Sequence, residues 1–397
     1  MGNAEVAASS AVETAATAEG ARERVWARVD WKAIGEAGRV VLVTRIAFFA
    51  VAYAGIWMFA SGTQGGSTVG FLDMWTRWDA RHFLRIADGG YFAYPDYPFE
   101  IAFFPLFPLL IRGLATTGVA PALAGMIISL VGSVVAGTYL YRLAEEELGA
   151  GTGRRALAYL FLFPTAVFLV APYSESLFLA GAIAAFYYAR RGRWAIVGIP
   201  AAFAVGARAA GVFLLLGLAV EFLRQKNFTF DRIVNGALAL VLGSMPLLAY
   251  GLYLMRTTGS ALSFMDAQRG GWYRDFTSPV QAFRATWETW NGAYTTNWMF
   301  AWRVEILAAG IGLFFLAWVL WKREWGYATY MGTTLAALMT SSWYFSIPRI
   351  LLSLFPIMLV LAEWTRGDTR RHENAMMILA PLAALGVALY THELWFF

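Results

Sequence analysis

The sequence predicts an all-α, polytopic integral membrane protein, and three observations predict it. Hydrophobic residues make up 59% of the 397-residue chain and charged residues only 14%, where soluble domains run near ~45–50% and ~25%. The apolar residues form continuous runs rather than the alternation of a transmembrane β-barrel. Those runs recur from about residue 40 to the C-terminus, punctuated by basic clusters. A soluble multi-domain enzyme would have no water-compatible exterior for so much apolar surface. An aromatic content of 16% excludes bulk disorder. The absence of cysteine removes disulfides, thiol nucleophiles and Cys-based metal sites. The net charge of +5 speaks to loop topology and anionic membrane lipids, not to a nucleic-acid partner.

Taken in order, residues 1–38 read as a disordered, basic cytoplasmic segment, and 39–397 as a single transmembrane domain. The first twenty residues are rich in Ala, Ser, Thr and Glu and lack a signal peptide's apolar core. Arg22, Arg24, Arg28, Lys32, Arg39 and Arg45 then lead into the first run and place the N-terminus inside. Spans are expected near 40–60, 119–142, 156–171, 174–189, 194–207, 209–223, 234–255, 302–321, 327–345, 349–363 and 375–394, about eleven crossings, within a range of nine to twelve. The 194–223 stretch reads as one broken helix or as two short helices with Arg208 at the turn. The pair is preferred, because it leaves the clusters around Arg154, Arg190, Arg224, Lys322 and Arg370 on one side. Segment 99–117 carries Pro105, Pro108 and Arg112 and suits a re-entrant or interfacial helix better than a span. Glu145, Glu146 and Glu147 read as a solvated helix end. Two long outer loops remain, 61–99 and 256–301, both rich in Trp, Tyr, Arg, Asp and Gly. A transporter would concentrate ionisable groups in mid-span; here Arg208 is the one that stands out, and the polar chemistry sits outside. That distribution favours an enzyme at the outer face of the cell membrane.

The richest stretch is 73–91, which holds three Asp, three Arg, two Trp and one of the chain's three His. Residues Asp79 to Ile86 suit an amphipathic helix lying on the membrane, with Trp75 and Trp78 as interfacial anchors. Such a helix could simply bind lipid headgroups. It could also present Asp79 as a carboxylate base beside cations that keep it ionised and hold an anion.

Here the residues resemble a known family. Arg77-Trp78-Asp79-Ala80-Arg81-His82-Phe83, with Gly90-Tyr91 and then Ala102-Phe103-Phe104-Pro105-Leu106-Phe107-Pro108, is similar to the signature of the GPI mannosyltransferase II (PIG-V) family. Phe163-Pro164-Thr165-Ala166 with Pro172-Tyr173-Ser174-Glu175-Ser176-Leu177-Phe178 resembles a second family segment. Arg208-Ala209-Ala210-Gly211, Gln268-Arg269-Gly270-Gly271-Trp272 and Ser346-Ile347-Pro348-Arg349 with Phe355-Pro356 resemble three more. The order agrees over about 40–365. Ile350 stands where the family usually has Tyr, so that hydroxyl is missing here.

The resemblance implies a C-type glycosyltransferase with its active site on the non-cytoplasmic face and a polyprenyl-phosphate mannose donor. An Arg- and Ala-rich, Lys-poor composition suggests a bacterial member, whose acceptor would be a lipid-linked or envelope glycan. Inverting transfer needs one general base, and Asp79 is the candidate; the bland alternative is that it caps its helix. Arg349, Arg208, Arg81 and His82 are candidates for the donor phosphate, although Arg349 could be a snorkelling arginine. Glu175, Tyr173, Gln268, Trp272, Arg77 and Trp78 are candidates for sugar or acceptor contacts. Glu175 could equally serve a helix N-terminus, and Gln268 with Trp272 an interfacial belt. No His-Glu-x-x-His and no Asp-x-Asp occurs, so metal-independent chemistry without a cofactor is expected. The other functional readings are transfer of arabinose or glucose, protein O-mannosylation, and lipid or glycan transport.

Overall fold

The computed structural model describes residues 30–59, 70–226, 228–292 and 295–396. Most of the expected N-terminal segment and part of the first outer loop lie outside them. Among the described residues the fold is all-helical, as expected, apart from a single bridge between Phe276 and Ser341. Five helices are long and apolar enough to cross a membrane: α1 (Trp31–Phe59), α4 (Pro121–Leu148), α9 (Phe230–Thr258), α12 (Thr296–Trp321) and α16 (Thr369–Thr391). A sixth candidate is α14 (Ile347–Ser353) with α15 (Pro356–Trp364), bent by 76°. The remaining helices are shorter: α2 (Asp79–Gly89), α3 (Leu106–Ala115), α5 (Thr152–Phe161), α6 (Glu175–Arg190), α7 (Trp194–Ala207), α8 (Gly211–Arg224), α10 (Ser263–Trp272), α11 (Pro279–Gly292) and α13 (Trp325–Met339). This is a multi-pass membrane protein. Several of the eleven expected runs fold as helices too short to span squarely, because hydropathy registers apolar length and not the breaks within it.

The breaks have local causes. The chain turns between α7 and α8 at Arg208, whose backbone is extended (φ −153°, ψ 145°), so the two-helix alternative is the one realised. Gly211 opens α8 where an added Cβ would sit 2.4 Å from the Val205 backbone, an approach only glycine permits. The run 156–171 does not form one helix. It splits into α5 and a 3-10 turn, Ala166–Leu169, across Pro164, which has no N–H to continue a helix. Likewise Pro356 starts α15 and divides the expected 349–363 span.

Helix α6 forms the centre of the molecule and is buried along nearly its whole length. It packs on α4, α7 and α8. Its first residue is Glu175 and its last is Arg190, so it marks the two ends of the bundle. At the Arg190 end the basic clusters assigned to one side do converge. Arg190 pairs with Glu147 at 3.1 Å and with Glu324; Arg224 pairs with Glu324 at 2.5 Å; Lys322 pairs with Glu363 at 2.7 Å. The triplet at 145–147 does end α4, with Glu146 and Glu147 exposed, but all three carboxylates are engaged. Glu145 accepts the Gly151 and Gly153 N–H groups, Glu146 holds Arg191, and Glu147 accepts the Tyr327 hydroxyl. Arg45 also departs from expectation. It lies buried inside α1 and donates from Nη2 to the Leu169 carbonyl at 2.7 Å, which satisfies an acceptor freed by the 3-10 turn. Arg208 is thus not the one deep charge, since Arg45 and Glu305 of α12 are buried as well.

Candidate active site

The site forms at the opposite end, where α6 begins. Helix α2 supplies its first residue. Ala80, Phe83, Ile86 and Ala87 bury one face of α2, which is the amphipathic helix read from the sequence. The turn into it is strained, with Trp78 at φ 52°, and is pinned from two sides. The Tyr390 hydroxyl donates to the Trp75 carbonyl at 2.8 Å, and the Tyr173 hydroxyl donates to the Arg77 carbonyl at 2.9 Å.

Asp79 is the first residue of α2. Its Oδ2 accepts from Arg349 Nη1 at 2.5 Å, so the side chain reaches across the molecule instead of capping its own helix. Arg349 Nε donates to Glu175 Oε1, and Arg208 Nη1 donates to that same oxygen. The Arg349 guanidinium also lies over the rings of Tyr173 and Phe168, at 4.7 and 4.9 Å. Asp79, Arg349, Glu175 and Arg208 thus form one chain of alternating charge drawn from four separate elements. Burial alone would push the Asp79 carboxyl up. The charge and hydrogen bond of Arg349 outweigh it, with help from His82 and Arg208, and hold the group below the ordinary aspartate value. The Asp79 side chain remains 21% exposed while that of Glu175 is fully enclosed, so Asp79 is the carboxylate of the pair that a ligand can touch.

Helix α14 needs its own anchor to present Arg349. Glu305 of α12 is fully buried, and its two oxygens accept the N–H groups of Ser346 at 2.6 Å and Ile347 at 2.8 Å. It therefore caps α14 from a neighbouring helix, and it holds Ser346 left-handed at φ 65°.

The charge chain borders a cavity of about 1000 Å³, at the upper end of the usual range for ligand sites. Asp79, Arg349, Arg208, Arg81, His82, Trp78, Gln268 and Trp272 of the expected residues line it. His82 stacks on Phe103 at 4.9 Å with Trp272 at 5.7 Å, and Gln268 Nε2 donates to the Ala102 carbonyl at 3.5 Å. Arg85 joins them, bound to the buried Glu100 at 2.6 Å. Phe104, Phe213, Leu247, Phe264 and Leu338 make much of the wall apolar. Ile350 adds another apolar side chain where the resemblance called for a hydroxyl.

Three expected residues are placed elsewhere. Tyr173 and Glu175 lie behind the cavity wall and hold Arg77, Arg208 and Arg349 in place, and Arg77 pairs with Glu393 at 2.6 Å. Arg81 reaches the cavity but is bound to Glu393. Sequence reasoning missed Glu100, Arg274, Glu305 and Glu393. A carboxylate inside the apolar run 302–321 was the available signal for Glu305; nothing local marks the others. Among the described residues no three His, Asp or Glu side chains gather as a metal-binding group.

The fold and the site define a class: a multi-pass helical membrane protein with a large, mostly apolar cavity at one end of the bundle, bordered by an ionised carboxylate and arginines. Comparison with known proteins narrows it. The family described as Mannosyltransferase (PIG-V) matches residues 65–291, over half of the chain and including Asp79, Glu175, Arg208, Gln268 and Trp272. The chain belongs to the mannosyltransferase (PIG-V) family. GPI alpha-1,6-mannosyltransferase 2 of Mus musculus is 34% identical over 168 residues, covering 39% of this chain and 33% of the relative. The Cricetulus griseus protein of that name is 35% identical over 154 residues, covering 36% and 30%. The human one is 34% identical over 155 residues, with the same coverage. The matched stretch thus spans about a third of the curated relatives' length.

Proposed function

We propose that this protein is an inverting mannosyltransferase that moves mannose from polyprenyl-phosphate mannose to a lipid-linked or envelope glycan, with Asp79 as general base. The observation that carries this is the accessible Asp79 carboxylate, ionised by Arg349 at the edge of a cavity with mixed apolar and cationic walls, in a chain of this family. The acceptor hydroxyl attacks the anomeric carbon from the face opposite the phosphate. Its oxygen forms the new glycosidic bond, and its proton passes to Asp79. The bond from the anomeric carbon to the phosphate oxygen breaks, and that electron pair stays on the departing polyprenyl phosphate. A β-linked donor gives an α-linked product, the linkage named for the relatives. The lowered pKa leaves Asp79 a weak base, and it also ensures the proton-free form at neutral pH. His82, Trp272 and Gln268 supply ring faces and an amide suited to a sugar. The basic end of the bundle faces the cytoplasm with the N-terminus, and the site faces outward.

The test is transfer of label from polyprenyl-phosphate mannose to an envelope lipid extract by purified protein in detergent, with EDTA present. Wild type should transfer, and Asp79→Asn should lose about 10²–10⁴-fold in rate while still binding donor. No transfer by wild type from this donor sinks the reading, and unchanged turnover in Asp79→Asn sinks the base assignment. Activity that EDTA abolishes and a divalent ion restores refutes the metal-independent mechanism.

A further inference from the structure

The donor phosphate gains charge during the proposed reaction, and a cation must meet it. Arg349, the first candidate by sequence, is committed twice over, to Asp79 and to Glu175, and Arg208 is committed to Glu175. The other cavity arginines are also spoken for. Arg81 is bound to Glu393, Arg85 to Glu100, and Arg269 to Asp266 and Asp275. Arg274 alone among the described cavity-lining arginines has no carboxylate within ion-pairing distance. Among the described residues its side chain donates one hydrogen bond, a long one from Nη2 to the Phe345 carbonyl at 3.3 Å, and its Nε is buried with no partner. Glu305 and Asp79 act on it only from beyond ion-pairing distance, and both Glu305 oxygens are taken by backbone N–H groups.

The position of Arg274 is built, not incidental. It follows Tyr273, which ends α10 in the left-handed region at φ 54°. Its strand of loop is stitched to the segment that leads into α14: Asp275 N–H donates to Ser342 Oγ at 3.0 Å, and Thr277 N–H to the Thr340 carbonyl at 2.8 Å. One short segment therefore carries Arg349 on one side and steadies Arg274 on the other, both facing the same cavity.

We propose that Arg274 is the anion-binding residue of this cavity and takes the phosphate of the prenyl-linked sugar donor, while Arg349 serves to ionise and aim Asp79. The assignment rests on the transferase reading. The donor phosphate is a diester with one negative charge and leaves as a monoester approaching two. A guanidinium with no carboxylate partner gains interaction as that charge develops, so its removal lowers kcat more than it raises KM.

The test measures binding of a polyprenyl monophosphate to the purified full-length protein in detergent, by quenching of intrinsic tryptophan fluorescence, with the unphosphorylated polyprenol as control. Wild type should bind the phosphate more tightly than the alcohol. Arg274→Gln should weaken phosphate binding by about 10–100-fold, leave polyprenol binding intact and flatten the salt dependence. Arg274→Lys should restore part of the affinity. Equal phosphate affinity in wild type and Arg274→Gln overturns the assignment while the transferase reading stands. Loss of polyprenol and phosphate binding together, in both variants, makes Arg274 an architectural residue and overturns it too. A wild type that binds neither probe removes the reading beneath it.

Discussion

Replacing Glu305 by Gln preserves the shape of the side chain and removes one acceptor. In the native protein each carboxylate oxygen takes one backbone N–H, from Ser346 at 2.6 Å and from Ile347 at 2.8 Å, and the residue is 1% exposed. The amide can accept one of these and must turn its own N–H₂ toward the other. One buried donor is then unsatisfied, and the remaining bond is no longer charge-assisted. Each effect costs about 1–3 kcal/mol, so a destabilisation of about 2–6 kcal/mol is expected. Ser346 also loses what holds it left-handed, a conformation that costs roughly 1–2 kcal/mol for a residue with a Cβ. The start of α14 relaxes, and Arg349 lies only three positions on. Misplacing it by about 1 Å should lower turnover on the order of 10²-fold. The assay pairs thermal unfolding in detergent with transfer kinetics. Glu305→Asp keeps both acceptors on a shorter stem and should recover part of both losses. A Glu305→Gln protein with wild-type unfolding temperature and wild-type kcat would refute the capping argument.

Other outcomes follow from the same contacts. If Asp79 is the base, as proposed, only its ionised form can take the proton, so activity should be present above its pKa and be lost as pH falls through it. Because that pKa is lowered, the kcat profile should stay flat down to about pH 5. Arg349→Met removes the main lowering influence and leaves burial, so the acid limb should move upward; an unmoved limb would detach Asp79 from the profile. Glu175→Ala strips the shared partner from two arginines and should cost about 3–5 kcal/mol, read as reduced folded yield and a lower unfolding temperature. Gly181→Ala places a Cβ 2.5 Å from the Pro200 carbonyl oxygen, so α6 and α7 must separate and the unfolding temperature should fall while the charge chain keeps its residues.

Much of the class was legible in advance, because lipid imposes its composition on every exposed face of the chain. The amphipathic helix after Trp78 was visible from its period, and the break at Arg208 from the charge parity of the basic loops. The parity of the basic loops anticipated that Arg190, Arg224 and Lys322 would gather at one end. Other features were hidden. A run of apolar residues does not announce where a proline or a 3-10 turn interrupts it, so 156–171 and 349–363 looked continuous. Arg45 looked like a topogenic charge, because a buried carbonyl that accepts from a distant guanidinium leaves no mark in local sequence.

The sequence by itself determined that the chain lives in a membrane, and it singled out Asp79, Glu175, Arg208 and Arg349, which the fold brings together. Their residue types are too costly in apolar surroundings to be idle. Only the tertiary structure decided which partners each one has. Whether a carboxylate is a base or a brace, and whether an arginine is free or spent, depends on partners about 30 to 270 residues away. Pairing across that distance is set by how helices pack, and electrostatic character is a property of the pair rather than of either residue.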